Sequence, residues 1–215
     1  MKLEINVPTS LDEITLGQYQ KYLKIAENND DSYFLDAKMI EIFCGIPLSE
    51  SYKIKMSSVK AITDILDELL STTPTHIERF KMNNVSYGFA PDLDELTLGE
   101  YVDLDNNIES WENMHIAMNV LYRPIKDSQG RRYNIVDYNI DNANKMKEMP
   151  LSAVIGSLVF FYNLGIELSR HTILYSNSQQ EMEAIQQQLT SQENGAGINQ
   201  FMDSLTEILQ DLKIS

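Results

Sequence analysis

The stretch Asp94-Glu95-Leu96-Thr97-Leu98-Gly99-Glu100-Tyr101 nearly repeats Asp12-Glu13-Ile14-Thr15-Leu16-Gly17-Gln18-Tyr19, which stands 82 residues earlier (94 − 12). The copies differ only by Ile14/Leu96 and Gln18/Glu100, and a leucine precedes each, Leu11 or Leu93. A repeat of this kind governs how the rest of a chain is read. In each copy a threonine precedes an apolar-periodic segment and a Gln or Glu follows three residues later, the signature of a capping box at a helix start. Two acids ahead of each helix suit the positive end of its dipole. A glycine inside a helix costs about 1 kcal/mol relative to alanine. Its presence in both first turns predicts close approach of another segment there.

Working outward, Leu16, Tyr19, Leu23 and Ala26 fall at helical steps and predict a helix to about Glu27. Phe34 to Phe43 predicts a second, ended by Gly45 and Pro47, and Ser57 to Leu70 a third, ended before Pro74. Its stripe of Val59, Ile62, Ile65, Leu66, Leu69 and Leu70 reads as packing core rather than a cofactor box. From the second motif a helix runs past Asp105, with a break near Asn106-Asn107, to Tyr122, where Arg123-Pro124 stops it. The repeat continues faintly: Met39–Cys44 resembles Met118–Tyr122, and each is followed by a Pro-containing turn. Tyr52-Lys53-Ile54 or Tyr133-Asn134-Ile135 comes next, then a strong helix, Ser57–Leu70 or Pro150–Gly165. Leu151 to Tyr162 is apolar nearly all round, as a central core or interface helix requires. At that length it is too short to span a membrane, which takes about 20 apolar residues.

Strand signals are fewer. Leu3, Ile5 and Val7 alternate up to Pro8, as in a short edge strand. Phe80, Met82, Val85, Tyr87 and Phe89 alternate about Asn83-Asn84, as in a tight hairpin. A return strand at Tyr133, Ile135 and Val136 follows a polar turn over residues 126–132. The fold class expected is mainly α, a helical protein with one or two short β-hairpins, two similar α-rich units and an amphipathic C-terminal helix. The expected divisions are residues 1–77, the first α-rich unit; 78–175, hairpin plus second unit; 176–197, a polar helix and linker; and 198–215, the C-terminal helix. In that last segment Ile198, Phe201, Met202, Leu205, Ile208, Leu209 and Leu212 form an apolar face behind the Gly195-Ala196-Gly197 break. It is suited to dock on the chain's own body, the favoured arrangement, or in a partner's groove.

The net charge of −15, from 17 basic and 32 acidic residues, disfavours direct nucleic-acid binding. A nucleic-acid mimic would need these acids in one surface stripe, which a sequence does not display. A single cysteine, Cys44, excludes an internal disulfide and sits in an apolar run as a small hydrophobe. Met1-Lys2-Leu3-Glu4-Ile5 has no apolar core of a signal peptide. His76, His115 and His171 share no ligand spacing, so no zinc site is expected, and no phosphate-binding loop or nucleophile elbow occurs. The carboxylate pairs Glu95 with Glu100 and Asp103 with Asp105 read as cap and first-turn residues, not an acid–base dyad. Asp137-Tyr138-Asn139-Ile140-Asp141, running on to Glu148, has oxygens at the first, third, fifth and twelfth places of a calcium loop. It lacks the turn glycine and reads instead as a solvated Asn/Asp-rich loop. No catalytic, cofactor or metal residue is therefore assigned.

At Tyr87-Gly88-Phe89-Ala90-Pro91, followed by Leu96-Thr97-Leu98-Gly99-Glu100-Tyr101-Val102-Asp103-Leu104, the chain resembles small structural or assembly proteins of tailed bacteriophages, those of the crAss-like phages of gut Bacteroidetes above all. Leu121-Tyr122-Arg123-Pro124-Ile125, Tyr133-x-Ile135 and Phe160-Phe161 add to the resemblance, which covers residues 80–165 and transfers no functional residue. It implies a virion or virion-assembly role in the host cytoplasm or the particle. The implied partners are other phage structural proteins, an oligomer included, with no direct nucleic acid and no membrane span. The partner-binding residues expected are Phe160 and Phe161 on the apolar helix and Phe201, Met202, Leu205 and Leu209 on the last. The alternative is a calcium- or metal-dependent regulator or small enzyme using the acidic loop 137–148.

Overall fold

A computed structural model of the chain describes residues 5–130 and 132–176, and the side chains to residue 166. The protein is mostly helical but α+β, because its hairpins join into one four-stranded antiparallel sheet. The helical majority and the short hairpins are as expected, and the union of the hairpins into one sheet makes the class α+β rather than mainly α.

The first motif opens a run of four helices: α1 (Leu16–Ala26), α2 (Ser32–Cys44), α3 (Leu48–Ser51) and α4 (Met56–Leu70). Thr15 caps α1, Asp31 caps α2 by accepting from the amides of Tyr33 and Phe34, and Gly45 ends α2 with φ +70°, as the glycine signal requires. The α4 stripe splits: Val59, Ile62 and Leu66 are buried, whereas Ile65 is exposed. Residues 5–8 are not a strand. Ile5 and Val7 still pack on the core, so the alternation tracked burial without a ladder partner.

Strands β1 (Arg79–Met82) and β2 (Val85–Phe89) form the predicted hairpin. Asn83 (φ 50°) and Asn84 (φ 63°) take the left-handed pair that a two-residue turn needs. The second motif opens α5 (Leu98–Ile108). The break before α6 (Met114–Leu121) falls at Glu109–Asn113, just past Asn106-Asn107. Tyr122 then leaves the helix directly into β3 (Tyr122–Gln129), which turns at Gly130 into β4 (Arg132–Ile135). Sheet order is β1-β2-β3-β4, with Tyr87 opposite Pro124, Phe89 opposite Tyr122 and an irregularity between Ile125 and Asp127. The presumed polar turn over 126–132 is therefore mostly strand. Pro124 hid it, since proline inside a sheet removes a ladder donor. Here its carbonyl still accepts from the Val136 amide at 2.9 Å.

The Asn/Asp-rich stretch is not an open loop but a 3-10 helix, Ile140–Glu148, capped by Asn139 through the Asp141 amide. It delivers the chain to α7 (Leu151–Ser176), whose residues 151–158 are all buried. A Cβ on Gly156 would stand 2.6 Å from the Thr75 carbonyl oxygen, so only glycine lets the α4–β1 connection cross α7. One core joins α1, α2, α4, α6, α7 and the sheet. Inside it the Tyr122 hydroxyl donates to the Ile77 carbonyl at 2.6 Å and meets Ser157 Oγ at 2.9 Å.

Candidate interaction site

The two motifs share their local geometry. In the first, the Gln18 amide donates to Thr15 Oγ1 (3.2 Å) and the Thr15 amide to Gln18 Oε1 (2.9 Å). In the second, the Glu100 amide donates to Thr97 Oγ1 (3.3 Å) and the Thr97 amide to Glu100 Oε2 (2.7 Å). The one polar exchange between them has a chemical reason. Gln18 uses its amide nitrogen to donate to the Ile42 carbonyl at 2.8 Å, whereas Glu100 uses its second oxygen to accept from Arg123 Nη1 at 2.7 Å. Both partners of this ion pair are nearly buried. Burial by itself raises the Glu100 pKa, but hydrogen bonds from Thr97 and the charge of Arg123 outweigh it and hold the carboxyl below its ordinary value.

Their surroundings differ. The first motif is closed over by the end of the 3-10 helix and the start of α7. Thr15 and Pro150 form an isolated antiparallel bridge: the Leu16 amide donates to the Met149 carbonyl (2.9 Å) and the Leu151 amide to the Ile14 carbonyl (2.8 Å). Ser152 Oγ donates to Asp12 Oδ1. Ile14 and Leu16 are fully buried, and Tyr19 meets Trp111 edge-on with ring centroids 4.9 Å apart. A Cβ on Gly17 would lie 3.0 Å from the Lys147 carbonyl oxygen, which is the close approach that the glycine predicted.

Among the described residues the second motif has no such cover. A Cβ on Gly99 would meet nothing within 4 Å. Leu98 is 80% exposed, Tyr101 55% and Val102 43%, although the equivalent Leu16 and Tyr19 are at 0% and 4%. The exposed face sits on a fixed base. Glu100 is held by Arg123, and Asp103 accepts the Tyr138 hydroxyl at 2.7 Å, while burial and the Asp103 carboxylate push the Tyr138 pKa up. The result is a rigid, capped first turn presenting three large apolar side chains to solvent. Sequence could not separate the copies, because the covering segment arrives only at residues 147–152.

The other expected residues fall elsewhere. Phe161 is buried and Phe160 half-buried, in an aromatic cluster with Phe89 and His76. Phe201, Met202, Leu205 and Leu209 lie outside the described residues. Among those described, no three His, Cys, Asp or Glu side chains gather as for a metal ion. In the 137–148 segment Glu148 accepts from Asn83 Nδ2, and Asn142 Oδ1 from Lys145 Nζ at 2.8 Å. Burial pushes the half-buried Cys44 thiol up, away from the reactive thiolate. Burial lowers the pKa of His76, against a smaller opposing effect of Glu78, and its Nδ1 finds no hydrogen-bond partner. An open groove of about 630 Å³ runs between α1 and the α5–α6 turn, floored by Trp111 and rimmed by Lys21, Lys24, Glu109 and Glu112. No helix among the described residues is long and apolar enough to cross a membrane.

No family model, curated protein or solved structure is significantly similar to the chain. The site therefore has to be read from its own geometry.

Proposed function

We propose that the protein is a non-enzymatic component of a bacteriophage particle or of its assembly, a tail or portal-region part, an assembly chaperone or packaged cargo, working through protein–protein contacts. The observation that carries the contact reading is the uncovered second motif. A lone exposed leucine needs no explanation. Here Leu98, Tyr101 and Val102 share the first turns of one capped helix, in a sequence that elsewhere in the same molecule is a buried docking element. Covering Leu98 alone would contribute about 1.5–3 kcal/mol to an association. The phage reading is supported by the resemblance over residues 80–165. Tyr87, Phe89, Leu121 and Tyr122 of that stretch are buried packing residues, whereas Leu98, Tyr101 and Val102 are exposed.

The test is co-purification of the tagged protein from phage-infected cells, with mass spectrometry of purified particles. Capsid, portal or tail proteins are expected to copurify with the wild type and to be depleted with Leu98→Asp. Absence from particles and from every complex with such proteins refutes the reading.

A further inference from the structure

We infer that the second motif binds a second copy of this chain, and that its docking site there is Ile46-Pro47-Leu48-Ser49. The inference rests on reading the face of Leu98, Tyr101 and Val102 as a contact surface, and names its occupant. The template is inside the molecule. The first motif is covered by Met149-Pro150-Leu151-Ser152, and of the six prolines in the chain only Pro47 and Pro150 are followed by Leu-Ser. No proline follows Pro150, so residues 151–215 contain no second such segment.

The two Pro-Leu-Ser segments also enter their helices alike. The amides of Glu50 and Ser51 donate to the Pro47 carbonyl at 2.8 and 3.0 Å, and those of Ala153 and Val154 to the Pro150 carbonyl at 3.1 and 3.4 Å. Pro47 (φ −52°, ψ 140°) leads the chain extended into α3. Yet where Pro150 is engaged, Pro47 and Ser49 are exposed and Leu48 is half-buried, while the Ile46 side chain is buried in the core. The Ile46 carbonyl, equivalent to that of Met149, receives only the Ser51 hydroxyl at 3.4 Å. Exposed apolar residues flank the segment, Tyr52 at 60% and Met56 at 51%.

The Leu98 amide would donate to Ile46 of the next copy, the Leu48 amide to Leu96, and Ser49 Oγ to Asp94, as Leu16, Leu151 and Ser152 do within one molecule. Within a single chain α5 packs chiefly on α6. The contact pairs two different segments, the motif of one copy and the Pro-Leu-Ser of another, so it either closes reciprocally into a two-fold pair or propagates to a ring or a filament.

The experiment is sedimentation velocity on the full chain over a series reaching about 100 μM, a range that reveals micromolar contacts. Wild type is expected to self-associate as concentration rises. Leu98→Asp spoils the motif and Ser49→Arg its docking site. Both positions are exposed, and an acid suits a helix start, so both variants keep the fold by circular dichroism. Each alone is expected to be monomeric, its self-association weakened at least about tenfold. Mixed in equal amounts they should give a dimer that grows no further, since one intact half remains on each. In a Cys44→Ser background, oxidising Asp94→Cys mixed with Ser49→Cys should trap the same heterodimer. A wild type that stays monomeric, or a mixture that stays monomeric, overturns the inference. If wild type is monomeric while Leu98→Asp still loses phage proteins on co-purification, the self-contact fails and the contact surface stands. If Leu98→Asp changes neither, both fail.

Discussion

Replacing glycine by alanine at equivalent positions of the two motifs should change stability in opposite directions. At Gly17 the new methyl would sit 3.0 Å from the Lys147 carbonyl oxygen and 3.1 Å from its Cβ. That carbonyl has little room to retreat, because the adjoining Met149–Leu151 segment is pinned to Ile14 and Leu16 by hydrogen bonds of 2.8 and 2.9 Å. Overpacking of this sort costs about 1–3 kcal/mol. The gain in helix propensity, up to about 1 kcal/mol and less in a first turn, offsets only part of it. Gly17→Ala should therefore destabilise by about 1–2 kcal/mol. At Gly99 the methyl meets nothing and only the propensity gain remains, so Gly99→Ala should stabilise by about 0.3–1 kcal/mol. Urea unfolding of dilute monomer, followed by circular dichroism, measures both. In thermal melts each kcal/mol is worth about 2–4 °C at this chain length. Equal shifts of the same sign would refute the claim that only the first glycine is pressed by a neighbour.

Three further outcomes follow from buried polar groups. Glu100→Gln leaves Arg123 with no charge partner and should cost about 3 kcal/mol at neutral pH in urea unfolding. Because the folded carboxyl lies below its ordinary value of 4.5, its contribution is present above that pH and is lost as pH falls through the folded value, so variant and wild type should converge in acid. Tyr122→Phe strips the Ile77 carbonyl and Ser157 of their shared hydroxyl and should lower stability by about 1–2 kcal/mol, with no change in the far-ultraviolet spectrum. His76→Phe keeps the ring contacts to Phe89 and Phe160 and removes a buried nitrogen that has no partner, so it should stabilise by about 1 kcal/mol. Since burial depresses the pKa of His76 below 6.5, wild type loses stability as pH falls below that value and the variant loses less; parallel profiles between about pH 7.5 and about pH 5 would show that the ring is not the titrating group.

What could be read from the sequence was local. Thr15, Thr97, Asn83-Asn84 and Gly45 each fix a few dihedrals by their own chemistry, and the structure puts a cap, a turn or a helix stop at every one. The failures were relational. Tyr122 looks like the last residue of a helix, and its strand exists only because Phe89 lies opposite. Nothing near Glu100 announces Arg123, 23 residues on, as the charge that it holds.

The burial of the motifs is the sharpest case of this, and it bears on function. Two octapeptides of almost one composition share a capping box and a helix start, yet Leu16 and Tyr19 are core and Leu98 and Tyr101 surface, because a Pro-Leu-Ser segment reaches the first and, among the described residues, none reaches the second. Folding of the single chain sets no requirement for leucine at position 98, where a polar residue would leave the capped helix intact. It sets one at position 16, where Leu16 is fully buried. Apolar side chains at positions 98, 101 and 102 are thus unexplained by the packing of the described residues, and a contact beyond them accounts for them. The chain carries a candidate partner for that contact in its own Pro47-Leu48-Ser49, where Pro47 and Ser49 are exposed.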